Sequence, residues 1–335
     1  MKFRLHILAG IAVLGSLGTF AYLRSGLLNL PKVPGEITPE DTGLNDLNDL
    51  KAIDDAIAIG KANDRSNEAL SLAVLGVTEI GHGIDESGIR HLREAVQADP
   101  ANLVFGNRLR MEILKQKREW LKKSADAGEI ALQFPDYLHD EPVRFFRALV
   151  KAHPIREVKL QLALAHVDHM LLFPALEIKA PASVESVEIL TDILNHAETN
   201  EAYYVPALFA RGLNYLYRPF NLVWPEKIAT PPDAASKDIA LCVAVGRKIG
   251  AGSNALKAEL SLALGDAYAK EGKLSLARSW WQLANNLAGD EKFRERVFLR
   301  LKWEDDEAAA SLEQTLQRQM ENLEHPVSDL RFVWQ

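Results

Sequence analysis

Residues 258–291, AELSLALGDAYAKEGKLSLARSWWQLANNLAGDE, decide the fold. They read as two short amphipathic helices separated by Glu271-Gly272-Lys273. Leu264, Gly265 and Tyr268 share one face of the first helix, and Ala277, Trp281 and Ala284 share one face of the second, at the three- and four-residue spacing of helical neighbours. Small Gly265 and Ala277 let two antiparallel helices approach closely, while Tyr268 and Trp281 fill the wedge beside that contact.

Working outward, residues 69–102 repeat the arrangement. Leu72, Leu75 and Gly76 mark a first helix, and Leu92, Ala95 and Pro100 a second, with Pro100 in a place where a helix cannot continue. Gly76 and Gly265 lie 189 residues apart, about five and a half units of 34, so the units between them are irregular. A third, partial unit is 205–218, VPALFARGLNYLYR, with Gly212 and Tyr215 at the small and aromatic positions and Pro206 in the first turn. Its second helix is displaced by 219–225, PFNLVWP, and by Pro231-Pro232; Phe220 and Trp224 there are either a partner-binding finger or a lid folded onto neighbouring helices. From Leu44 the positions Leu44, Leu47, Leu50, Ile53 and Ile57 keep one helical face, ended by Gly60. Further helical runs fit 102–123, 125–133, 141–152, 155–173, 183–198, 234–249, 254–270, 274–288, 291–302 and 305–323, with Pro135, Pro154, Pro174, Pro181 and Gly250 as breakers. No stretch alternates apolar and polar residues between hairpin turns, so strands are not expected. The tail 325–334, HPVSDLRFVW, supplies Phe332 and Trp334 to cover the last apolar face.

The spacing in 258–291 resembles the tetratricopeptide repeat, W-x2-L-G-x2-Y…A-x3-F…A…P, with Ser261 for the first Trp and Gly289 for the closing Pro. Residues 69–102 resemble it with Glu79 for the Tyr and Gly88 for the Ala, and 205–218 with Arg211 for the Leu. The resemblance implies an all-α superhelical solenoid of helical hairpins whose first helices line a groove that grips a peptide or a segment of another protein. Carried over by register, the groove residues are Glu259, Leu262, Asp266 and Lys270 in the fullest unit and Phe209, Leu213 and Tyr217 in the partial one.

The 335 residues include 47% hydrophobic, 25% charged and 7% aromatic side chains, ordinary for a folded chain. A net charge of −7 does not favour nucleic-acid binding. A single cysteine, Cys242, excludes an internal disulfide framework and CxxC metal sites. At the other end, Lys2 and Arg4 precede an uncharged apolar stretch from Ile7 to Leu23, closed by Arg24. About 17 residues is the short end of a membrane-spanning helix. Because apolar residues continue to a basic stop, the stretch reads as a signal anchor, with cleavage after Thr19-Phe20-Ala21 as the alternative. Positive residues stay on the cytoplasmic side, which puts the body across the inner membrane, on the periplasmic side in a bacterial host. The organisation expected is an N-terminal hydrophobic helix at 1–24, a Pro- and Gly-bearing linker at 25–43 and a helical-repeat body at 44–335.

Two clusters raise other chemistry. His166 and His169 share a helical face and could seed a metal site, but no third ligand is dictated by spacing, so packed structural histidines are the preferred reading. Arg108, Arg110, Lys115, Lys117, Arg118, Lys122 and Lys123 crowd one run beside Leu109, Met111, Leu114, Trp120 and Leu121. That pattern suits an anionic lipid surface, though Glu112 and Glu119 interrupt it and a solvated outer face is the plainer reading. No phosphate-binding glycine loop and no nucleophile elbow is present, so no catalytic residue, metal or cofactor is expected. The expectation is a non-enzymatic scaffold or assembly factor of the cell envelope that binds other proteins, with a lipid-binding module through 108–123 as the alternative.

Overall fold

The computed structural model describes residues 65–126, 134–139, 142–172, 176–196, 203–218, 231–249, 254–322 and 328–329. All regular structure among them is helical: α1 (Arg65–Gly81), α2 (Asp85–Ala98), α3 (Leu103–Asp126), α4 (Asp136–His139), α5 (Pro142–Ala152), α6 (Arg156–Leu172), α7 (Leu176–His196), α8 (Tyr204–Tyr217), α9 (Ala234–Ile249), α10 (Asn254–Lys270), α11 (Leu274–Leu287), α12 (Glu291–Leu301) and α13 (Ala308–Asn322). The signal segment, the linker, the helix from Leu44, the run 125–133 beyond Asp126, the Phe220–Trp224 loop and the Phe332/Trp334 cover lie outside the described residues. Within them no helix is long and apolar enough to cross a membrane.

The helices pack sequentially in neighbouring pairs: α1 on α2, α6 on α7, α8 on α9 and α10 on α11. A second set of contacts, α3 with α6, α6 with α8 and α8 with α10, joins non-consecutive helices into an inner row. The core runs along the array: one cluster spans α1 to α6, a bridging one joins Leu160 and Leu164 to Leu190, Ile193 and Ala207, and another runs from α8 to α13. Each segment therefore buries its apolar stripe mainly against the next, as in a helical solenoid.

Three hairpins close on a glycine. A Cβ on Gly265 would lie 2.4 Å from Trp281 Cδ1 and 3.1 Å from the Ala277 carbonyl, so the expected small-residue contact of 258–291 is made. A Cβ on Gly76 would lie 2.7 Å from the Gly88 carbonyl, and one on Gly212 would lie 2.9 Å from Ile239. The turns agree as well. Gly83 (φ 77°) and Gly272 (φ 76°) both end their helix in the left-handed region. The next residues donate back in parallel, Ile84 N to the Glu79 carbonyl at 2.9 Å and Lys273 N to the Tyr268 carbonyl at 2.9 Å. This is the six-to-one bond of a Schellman cap, which needs a residue that tolerates positive φ.

One breaker is corrected. Pro181 lies inside α7, which begins at Leu176, well before the expected 183. A proline in the second turn forfeits one hydrogen bond to the residue four before it, and its ring here is solvent-exposed. Burial of Ala182, Val187, Leu190 and Ile193 along the same helix outweighs that loss.

Candidate partner-binding groove

The polar departures from the repeat pattern are bonded, two of them across their hairpins and Ser261 within its own helix. Glu79, which stands where the pattern has Tyr, is buried; its Oε2 lies 2.6 Å from His91 Nδ1 on α2, and its Oε1 accepts from Ser87 Oγ at 2.9 Å. Arg211, which stands for Leu, donates through Nε and Nη2 to Asp238 of α9 at 2.7 and 2.9 Å. Ser261, in place of the first Trp, is buried and donates to the Lys257 carbonyl at 2.7 Å. A buried polar group is tolerable only when bonded, and each of these is.

The seven residues assigned to the groove fall on two adjacent inner helices, α8 and α10. Phe209, Leu213 and Leu262 are buried in the same cluster as Leu312 and Leu316 of α13. Glu259 accepts from Arg296 of α12 at 2.9 Å. Asp266 is 3% exposed and triply bonded: Trp281 Nε1 donates to Oδ1 at 2.9 Å, Arg300 Nε to Oδ1 at 2.7 Å and Arg300 Nη2 to Oδ2 at 2.8 Å. Burial opposes the charge on Arg300, but the Asp266 carboxylate prevails and holds its pKa above the ordinary value. Trp281 is fully buried and meets Trp303 edge-on, with centroids 5.6 Å apart.

Lys270 Nζ donates to the carbonyls of Tyr215 (3.1 Å), Leu216 (2.8 Å) and Arg218. These carbonyls belong to the C-terminal turn of α8, where a helix has unpaired acceptors and a partial negative charge. Burial pushes the Lys270 ammonium down to about 8, with Glu313 of α13 acting in the opposite direction. Burial raises the Tyr217 hydroxyl above its usual range; it donates to Gln319 Oε1 of α13 at 3.3 Å.

The expected groove residues are thus brought together, and the chain's own α12 and α13 lie on them. The last described helix, α13, does not pair with α12, its neighbour in sequence: it lies against α10 and α8. Its stripe of Ala308, Leu312 and Leu316, at i,i+4 spacing, is buried.

A second inner site was not foreseen. Arg110 is fully buried, donating to Gln161 Oε1 (2.7 Å), Asp168 Oδ2 (2.8 Å), Asn107 Oδ1 (2.9 Å) and the Ser328 carbonyl (2.9 Å). Ser328 Oγ bonds Asp168, and Asn107 Nδ2 donates to Asp329 Oδ1 at 3.1 Å. Burial raises the Asp168 carboxyl, against the pull of Arg110 and Ser328. Of the basic run, Arg110 and Lys117 are therefore interior, and Arg108 pairs with buried Glu112 at 2.9 Å. Lys115, Lys122 and Lys123 face outward, which leaves the anionic-surface reading only these as its exposed lysines. Periodicity offered one clue: Arg110, Ile113 and Lys117 share the face of Leu114.

His166 and His169 have separate surroundings. His166 Nε2 lies 3.2 Å from Glu185 Oε1, which also accepts from Arg147 at 2.6 Å, and burial lowers its pKa. His169 lines a small cavity with Arg110, Lys117 and Asp168. Among the described residues no group of three or more His, Cys, Asp or Glu could hold a metal ion. No protein-family model matches the chain, and no curated protein matches it.

Proposed function

We propose that this chain is a non-enzymatic scaffold built as a superhelical array of tetratricopeptide-like hairpins, and that it binds a segment of another protein on its inner row. The observation that carries this reading is that α8 and α10 already seat an amphipathic helix, α13, whose Leu312 and Leu316 share one buried cluster with Phe209, Leu213 and Leu262 and whose Gln319 and Glu313 act on Tyr217, Arg300 and Lys270. Helix-in-groove recognition needs such a face, with apolar anchors at i and i+4 and polar groups that set register. Residues 1–24 would hold the body on the periplasmic side of the inner membrane.

In-cell crosslinking of the full chain, with the crosslinked residues mapped, tests the reading. It predicts links between a recurrent partner and α8, α10 or the C-terminal segment. Links confined to α9 and α11, or none, overturn it. For the location, protease added to spheroplasts should digest the body; a protected body would reject that assignment.

A further inference from the structure

We infer that the inner face of α8, α10 and α12 is a docking site for a partner's amphipathic helix of the pattern small-x3-Leu-x3-Leu-x2-Gln, and that α13 occupies it in cis until such a helix displaces it. This rests on the protein-binding reading above and adds the chemistry of the ligand and the state of the site. The pattern is that of α13 itself, Ala308, Leu312, Leu316 and Gln319, with Glu313 the acidic residue that acts on Lys270.

Three observations make α13 a removable occupant rather than a structural helix. Its packing is the first: it crosses to α10 and α8 instead of forming a hairpin with α12. Its polar bonds are the second. Gln319 Oε1 accepts from Tyr217 at 3.3 Å and from Arg300 at 3.4 Å, long bonds beside the 2.7 and 2.8 Å pair of Arg300 with Asp266. The third is that the groove's charges are satisfied without it. Asp266 keeps Arg300 and Trp281, Glu259 keeps Arg296, and Lys270 keeps the carbonyls that end α8. Departure of α13 uncovers apolar surface and takes Glu313 from Lys270, but it leaves each of these charges hydrogen-bonded, and leaving a buried charge without any partner is the costly event in opening such a site.

The tail acts with it. Ser328 and Asp329 are buried on Arg110, Asn107 and Asp168 of α3 and α6, farther along the same inner row. Two anchors on one segment raise each other's local concentration, so the cis occupant is favoured over a free helix of equal intrinsic affinity. Arg110 also retains Gln161, Asn107 and Asp168 when the tail leaves.

The test uses the full chain and a fluorescein-labelled synthetic peptide of residues 304–329 as the probe. Wild type should bind it weakly, because the competent state is a small fraction and the apparent affinity falls by that fraction. Leu316→Asp, which drives a charge into the apolar face and expels α13, should bind the peptide at least about tenfold more tightly. Asp329→Lys, which releases only the tail, should give a smaller gain in the same direction. A peptide carrying Asp in place of Leu312 and Leu316 should not bind either variant. If Leu316→Asp keeps its helical circular dichroism and gains no affinity, the inference fails; if it does not fold, Asp329→Lys decides by the same criterion. Wild type binding as tightly as the variants also overturns it. The two readings separate cleanly. Cellular crosslinks equal in wild type and Leu316→Asp sink the cis-occupant inference and leave the scaffold standing, whereas peptide binding without any cellular partner does the reverse.

Discussion

The hairpins α1/α2 and α10/α11, 189 residues apart, are built on one backbone plan with two different chemistries. In both, a glycine in the first helix faces the second, and a second glycine at positive φ turns the chain. The N-terminal hairpin brings two glycines together, Gly76 and Gly88, and carries its polar pair, Glu79 with His91, across its own two helices. The C-terminal hairpin sets Gly265 against Trp281 and Ala277, and its polar group, Asp266, reaches beyond the hairpin to Arg300 of α12. The buried polar pair of one unit stays inside it; that of the other ties it to the next helix in the chain. The hairpin geometry is therefore a backbone property, and the side chains decide where the buried charge finds its partner.

The largest expected break in that contrast is Arg300→Ala. It leaves Asp266 buried with Trp281 alone and should cost ~3–5 kcal/mol in urea unfolding. The corresponding cut in the N-terminal hairpin, His91→Ala, leaves Glu79 with Ser87 and should cost less, ~1–3 kcal/mol. Equal losses would show that both pairs are local to their hairpins.

Gly76→Ala and Gly265→Ala should each cost ~1–3 kcal/mol by crowding the helix contact. They should differ in rescue. The added methyl at 265 meets the Trp281 side chain, so Trp281→Leu should relieve part of the strain in a double-mutant cycle. At 76 it meets the Leu92 side chain at 2.9 Å but also the Gly88 carbonyl at 2.7 Å and the Leu92 amide at 3.1 Å, so Leu92→Ala should relieve less. Equal rescue at both positions would break the distinction.

The turns should behave alike. Gly83→Ala and Gly272→Ala meet no atom within 4 Å, so each should cost only the backbone term, about 1 kcal/mol. Unequal losses would show that the two caps are not equivalent.

A contrast of another kind is a pH slope confined to the C-terminal unit. Lys270 is held down to about 8 in the folded chain, below the ordinary lysine value of about 10.4. Between these values the unfolded chain binds a proton that the folded chain does not, so stability should rise as pH increases from about 8 toward 10. Below pH 8 both states are protonated and this contribution to the slope vanishes. Lys270→Met should remove the rise, as thermal melts across that window would show.

Much of the architecture was legible because it is local. The Leu-Gly pairs, the turn glycines and the 3.6-residue rhythm placed α3, α5, α6 and α8 to α11 within a few residues of the observed ends. Pro181 misled because a proline's penalty is small beside the burial of the helix around it. Arg110 and Lys117 read as surface groups because their charge is visible in the sequence while their partners are not: Arg110 meets Asp168, 58 residues away, and Ser328, 218 away.

For the groove the division is the same. The sequence by itself determined that helices pair through small residues, since helical register sets which face of its own helix a residue occupies, and the repeat resemblance implied the candidates Phe209, Leu213, Tyr217, Glu259, Leu262, Asp266 and Lys270. Only the tertiary structure decided that α12 and α13 lie on those residues, that Arg300 neutralises Asp266 and that Lys270 caps α8. Those contacts join helices through space, and the energy that selects them, burial of Leu312 and Leu316 and pairing of charges away from water, has no signature in the spacing of any one segment.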